Sequence, residues 1–191
     1  MAMARWEPNA AQRLAAAALE LFDERGYDHT TVLDIAQRAG LAKSTFFRHF
    51  PDKRAVLFSE DPLTGPLVAA ITAAPAGATP LEAVAHGLDA LGRDIFTSER
   101  HAFVARRRAV IDAHADLQER EALKGLHLTA ALTRAVANRG VPTLTAEVAA
   151  QLGALALTTA YERWIGTGAT EEFGALARQA LDDVRVATAG L

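Results

Sequence analysis

Apolar residues recur along this chain at helical intervals, and no segment alternates with the period of two that a half-buried strand requires. Leu14, Ala18, Leu21 and Phe22 stand at i, i+4, i+7 and i+8, one face of a helix. Asn9 and Gln12 form a capping-box pattern ahead of that face, and Gly26 is placed to stop it, which predicts a helix over 10–25. Thr31 and Asp34 open a second helix, with Ile35 and Ala39 on its buried side and Gly40 at its end. Pro51 limits a third helix to about 43–49. Asp52 caps a fourth over about 53–60, before Pro62, Gly65 and Pro66 break the pattern.

Further on, a short helix is expected over about 66–74, followed by the loop APAGATP. Thr79, Pro80 and Glu82 supply N-cap, first-turn proline and capping-box acid for a helix reaching about Phe96. Ser98 caps one over about 99–113, and Asp116 caps a long one that Gly140 and Pro142 stop near Arg139. Thr143 or Thr145 begins a helix running to Ile165, and the last helix covers about 171–187. The expected fold is all-α with nine or ten helices and no internal repeat.

Composition narrows the function classes. The 191 residues suit one domain or two small ones. There is no cysteine, which excludes disulfides, zinc–thiolate sites and thiol nucleophiles. The start of the chain, MAMARWEPNAAQR, has no apolar segment of the secretory kind, and LAAAALELF is too short for a membrane span and carries Glu20. A cytoplasmic protein with no membrane partner is expected. HExxH, P-loop, GxSxG and GxGxxG patterns are absent, and Gly166-Thr-Gly168 lies between helices without a phosphate-binding context. His86, His101, His114 and His127 do not share one helix face at ligand spacing. No catalytic, metal or cofactor site is therefore expected.

The net charge of −3 is unevenly spread. Between residues 38 and 54, Arg38, Lys43, Arg48, Lys53 and Arg54 face Asp52 alone, so five cations less one anion leave +4. Such a run is either a solvated charged face or a footprint for a polyanion. Its context favours the second. Helix 2, a tight turn at Gly40 and the short helix 3 fit a helix-turn-helix, with Ala36 small where helices must approach. Projected at 100° per residue from Lys43, Phe46, Phe50 and Phe47 fall at about 300°, 340° and 40°, one arc. Ser44, Arg48, Thr45 and His49 fall at about 100°, 140°, 200° and 240°, a small polar and basic arc. Hydroxyls and guanidinium on such a face suit base edges and phosphates in a major groove, although an ordinary amphipathic helix has the same shape.

The stretch TTVLDIAQRAGLAKSTFFRHFPDKRAVL resembles the DNA-binding module of TetR-type transcriptional regulators. The likeness rests on Gly26-Tyr27 (an inverted aromatic–glycine pair), the Thr-Thr start of helix 2, Asp-Ile-Ala and the Ala-Gly turn. The hydroxyl–aromatic–aromatic–x–His–Phe run and Lys53 complete it. It covers about residues 10–58 and implies a helix-turn-helix domain over 1–56, with a helical effector-binding and dimerisation domain over 57–191. It further implies a ligand-responsive repressor that binds double-stranded operator DNA as a homodimer and answers an unidentified small-molecule effector. By position, Thr31 would bond a phosphate, Lys43, Ser44 and Thr45 would enter the groove, and His49 and Lys53 would hold the backbone. Phe47 stands where the family usually has Tyr and so lacks the phosphate-reaching hydroxyl. Ala42 stands where Ser often caps helix 3, a loss worth about 1 kcal/mol. A helical protein-interaction or effector-binding protein with weakened DNA binding is the alternative these two departures leave open.

In the body, Phe173, Leu176, Ala177, Ala180, Leu181 and Val184 form one face of the last helix. The helix before it carries Ala149, Ala150, Gly153, Ala154, Ala156 and Ala160, which permits close packing within the chain. The resemblance implies that these two helices also pair with their copies in a dimer. Arg107 lies amid the apolar face of Phe103, Val110, Ile111 and His114. It is expected to find an acidic partner or to snorkel outward. The sharper alternative is an anchor for an acidic ligand beside Phe96, Phe103, Tyr161 or Trp164.

Overall fold

The structure is a computed structural model and describes residues 10–58 and 62–190. Among them are ten α-helices and no strand. They are α1 (Ala10–Arg25), α2 (Val32–Arg38), α3 (Lys43–His49), α4 (Ala55–Phe58), α5 (Thr64–Ala73), α6 (Pro80–Asp94), α7 (Ser98–Asp112), α8 (Ala115–Ala137), α9 (Thr143–Gly166) and α10 (Phe173–Ala189). The all-α expectation is met. The Asn9 cap and the end of the expected fourth helix lie outside the described residues. No helix is long and apolar enough to cross a membrane among the described residues.

The chain divides into two units, Met1–Glu60 with Phe103–Gln118, and Asp61–Ala102 with Glu119–Leu191. In the first unit, α1 packs against α2, α3 and α4. Leu14, Leu21, Phe22, Ile35, Ala36, Phe46 and Phe50 form a buried core there, which Val110, Ile111 and Leu117 join from the end of α7 and the start of α8. The turn between α2 and α3 follows from Gly40, whose φ of 66° a side chain would resist. The Leu41 N–H donates to the Ala36 carbonyl and the Gly40 N–H to that of Gln37, so the turn closes α2 with its last carbonyls bonded. Arg13 donates to the Ala39 carbonyl at 2.6 Å and ties this turn to α1.

In the second unit α6 packs against α5, α9 and α10, and α9 against α10. Of the small residues expected on α9, Ala149, Ala150, Gly153, Ala156 and Ala160 are buried while Ala154 is only partly so, and all six expected residues on α10 are buried. Small residues set the spacing. A Cβ at Gly92 of α6 would lie 2.8 Å from the Gly174 backbone nitrogen on α10. Arg139 fixes the end of α5 by donating to the carbonyls of Ile71, Ala74 and Pro75.

Candidate nucleic-acid interface

Helix α3 is seven residues long, too short to persist without packing. Phe46 and Phe50 supply that packing: both are essentially fully buried and their rings meet at 5.4 Å. The opposite side is free of the core. Lys43, Ser44, Arg48 and His49 are exposed and Thr45 is half-buried. Arg48 lies 3.5 Å from the Thr45 hydroxyl, and its guanidinium remains available to a further acceptor. Phe47 sits at the boundary, half exposed, with its ring edge-on to Phe46 at 5.6 Å and the Lys43 ammonium 5.9 Å from its centroid. Ala42 occupies the N-cap with extended backbone and no side-chain bond, as its methyl requires.

Thr31 caps α2 by accepting from the Asp34 N–H, while its own N–H and hydroxyl both donate to the Asp34 carboxylate, at 2.9 and 2.5 Å. These bonds hold the Asp34 carboxyl below its usual range. A phosphate reaching Thr31 would have to take these donors from a carboxylate.

The five cations of the basic run fall into two sets. Arg38 makes a bidentate pair with Glu24, at 2.9 and 2.7 Å, and also reaches Glu20. Arg54 pairs with Asp52, whose other oxygen caps α4 at the Ala55 N–H. Lys53 donates to the Tyr27 carbonyl at 2.6 Å, with its ammonium 4.0 Å from the Tyr27 ring centroid. Among the described residues Lys43 and Arg48 have no carboxylate partner. Lys53 has no carboxylate ion pair among the described residues either and keeps its charge, so the uncompensated charge of the run lies on Lys43, Arg48 and Lys53.

The five residues suggested for a ligand divide between the units. Phe96, Tyr161 and Trp164 come together in the second unit, where Phe96 meets Tyr161 at 5.7 Å and Trp164 at 5.5 Å. Phe173, stacked on Phe96 at 4.2 Å, and His101, against Trp164 at 4.8 Å, complete the cluster. Periodicity assigns Phe173 only to a core face, and nothing local marks His101. The His101 Nε2 is buried with no hydrogen-bond partner. Phe103 and Arg107 belong to the first unit. Arg107 donates to the Leu57 carbonyl at 2.7 Å, and its guanidinium stands 5.2 Å from the Phe58 ring centroid. Among the described residues no group of three or more His, Asp or Glu is placed to hold a metal ion.

Comparisons with known proteins agree with this geometry. Residues 14–59 match the family model for bacterial regulatory proteins of the tetR family. The HTH-type transcriptional regulator TcmR of Streptomyces glaucescens is 41% identical over 83 residues, covering 42% of this chain and 37% of that protein. The chain thus spans well under half the length of this curated relative. The TetR family transcriptional regulator PfmR of Thermus thermophilus superposes with a TM-score of 0.52 at 25% identity, covering 90% of this chain and 96% of that one. The regulator FadR of Bacillus subtilis, solved in complex with stearoyl-CoA, superposes with a TM-score of 0.59 at 20% identity, covering 91% and 96%.

Proposed function

We propose that this chain is a member of the TetR family of bacterial regulatory proteins, a ligand-responsive transcriptional repressor that reads operator DNA as a homodimer. Residues 1–56 carry the DNA-reading function, and 57–191 carry effector binding and dimerisation. The observation that supports DNA reading is the division of α3, with Phe46 and Phe50 buried and Lys43, Ser44 and Arg48 exposed without carboxylate partners. Ser44 and Thr45 offer hydroxyls to base edges, Arg48 offers a fork to guanine or phosphate, and His49 and Lys43 flank them. Thr31, Phe47 and Lys53 border the same surface.

Dimerisation is supported by the outer face of α9 and α10. Leu144, Val148 and Leu155 stand at i, i+4 and i+11 on α9 and are at least half exposed, as is Val186 on α10. Apolar side chains in such a row are commonly covered by a partner. A dimer would present two copies of α3 to successive major grooves about 34–36 Å apart. For the effector, the cluster of Phe96, Tyr161 and Trp164 offers apolar walls, and the His101 Nε2 offers a buried polar partner. Phe103 and Arg107 are the other candidates. Measuring carboxylate-effector affinity in Arg107→Ala separates an anchor from the α4-binding role of its Nε.

The second reading, a helical interaction protein, draws on uncapped Ala42 and on Phe47. A salt series on random duplex DNA distinguishes the two. A DNA reader binds at low salt and loses affinity steeply as salt rises, because each neutralised phosphate releases counterions. Absence of binding at low salt would leave the interaction protein.

A further inference from the structure

Lys53 follows α3 by four residues, and its resemblance to the family assigns it to a DNA phosphate. Its geometry points elsewhere. The ammonium donates to the Tyr27 carbonyl at 2.6 Å and lies 4.0 Å from the Tyr27 ring centroid, although the two residues are 26 apart in sequence. Tyr27 is itself buried and held from two further sides, by the Phe22 ring edge-on at 5.0 Å and the His114 ring at 4.9 Å. His114 is fixed in turn through Nδ1 to the Val110 carbonyl at 2.8 Å, with Nε2 3.8 Å from Asp28. Burial lowers the Lys53 pKa and pushes the Tyr27 phenol up to about 12, as a partly dry seat requires. The carbonyl bond and the cation–π contact together seat this charge on Tyr27, and a phosphate could take only the N–H groups that remain.

We propose that Lys53 is a positioning residue, a tether that fixes the outgoing end of the recognition helix to the turn between α1 and α2. Tyr27 is its seat and His114, at the corner between α7 and α8, is the back wall of that seat. Phosphate contacts then fall to Lys43 and Arg48 rather than to Lys53. The corner carrying His114 also gains a physical route to α3, since displacing the His114 ring frees the Tyr27 ring that supports Lys53. The inference rests on α3 being the DNA reader only for its functional consequence, not for the tether itself.

Two arms test it. In the free protein, Lys53→Met keeps most of the apolar stem and removes the ammonium. Amide exchange at Phe46 and Phe50 should accelerate about tenfold or more, while α10 amides keep their protection. Tyr27→Leu should produce the same local loosening, and the double variant should add little to either single change. In the DNA arm, the probes are random duplex and a duplex selected by the wild-type protein. Lys53→Met should lower the ratio of selected to random affinity about tenfold while leaving the slope of log K against log salt unchanged. A slope lowered by about 1, with both duplexes weakened alike, would identify a phosphate clamp and overturn the tether. Unchanged exchange in α3 would overturn it too. If the wild-type protein ignores DNA at low salt, the regulator reading fails, and the exchange arm still decides the tether.

Discussion

The two units of this chain use different means to define a structure. The first contains the short helices α2, α3 and α4, held by specific polar contacts: Asp34 with Thr31, Asp52 at the start of α4, Arg13 on the Ala39 carbonyl, Lys53 on that of Tyr27. The second is assembled from long helices whose fit depends on small residues, as where Gly92 meets the backbone of Gly174. Short helices bury too little to define their own ends, so capping and turn chemistry must do so. Long helices have ends to spare, and their precision comes from how closely their axes approach. The module thus exposes one face of a thin helix, whereas the body devotes its precision to steric fit.

Substitutions can break this contrast in order of expected size. Phe46→Ala should cost about 3–5 kcal/mol in denaturant unfolding, because the ring is fully buried between α1 and α3. Phe47→Ala, one position on, should stay within about 0.5 kcal/mol because that ring is half exposed. Equal costs would mean that α3 has no outer face.

Alkaline titration tests the Tyr27 seat. Burial pushes its phenol up to about 12 in the folded protein from the ordinary 10.0. The folded state then holds the proton that the unfolded state releases, so stability is retained below pH 10 and falls as pH rises from 10 to 12. The loss should reach up to about 3 kcal/mol by pH 12, and Tyr27→Phe should abolish that part of the slope.

The body is probed by one substitution made twice. Gly92→Ala should cost about 1–3 kcal/mol, since the new methyl meets backbone that cannot step aside. Gly125→Ala on α8 meets nothing within 4 Å and should stabilise by up to about 1 kcal/mol through helix propensity. Thermal melts of the pair decide whether steric fit governs this unit; matching signs would say it does not. The smallest effect returns to the module. Ala42→Ser should add about 1 kcal/mol by capping α3, visible as slower amide exchange in its first turn.

Local chemistry was readable in the sequence at several helix starts, although Asp116, expected to cap α8, lies inside its first turn. Both the Thr31–Asp34 and Thr79–Glu82 capping boxes close reciprocally, and Gly40 takes the turn its position implies. Period alone placed Phe46, Phe50 and the buried face of α10. Tertiary partners were not readable. Lys53 finds a carbonyl 26 residues away, and Arg107 one 50 residues away. Every residue type carries a carbonyl, so no side-chain pattern announces such a partner. The Leu57 carbonyl and the Phe58 ring beside Arg107 are partners of that kind. The clustering of Phe103–Gln118 with the N-terminal helices likewise depends on packing that no local motif encodes.

If α3 has an inner face that folds and an outer face proposed to bind phosphate and base, substitutions should separate the two. The Lys43→Ala/Arg48→Ala double variant tests this most directly, through its affinity for duplex DNA across a salt series. The prediction is an unchanged melting temperature, weaker binding, and a slope of log K against log salt reduced by about 2, one for each lost phosphate contact. Wild-type affinity with an unaltered slope would place the DNA surface elsewhere and contradict the account.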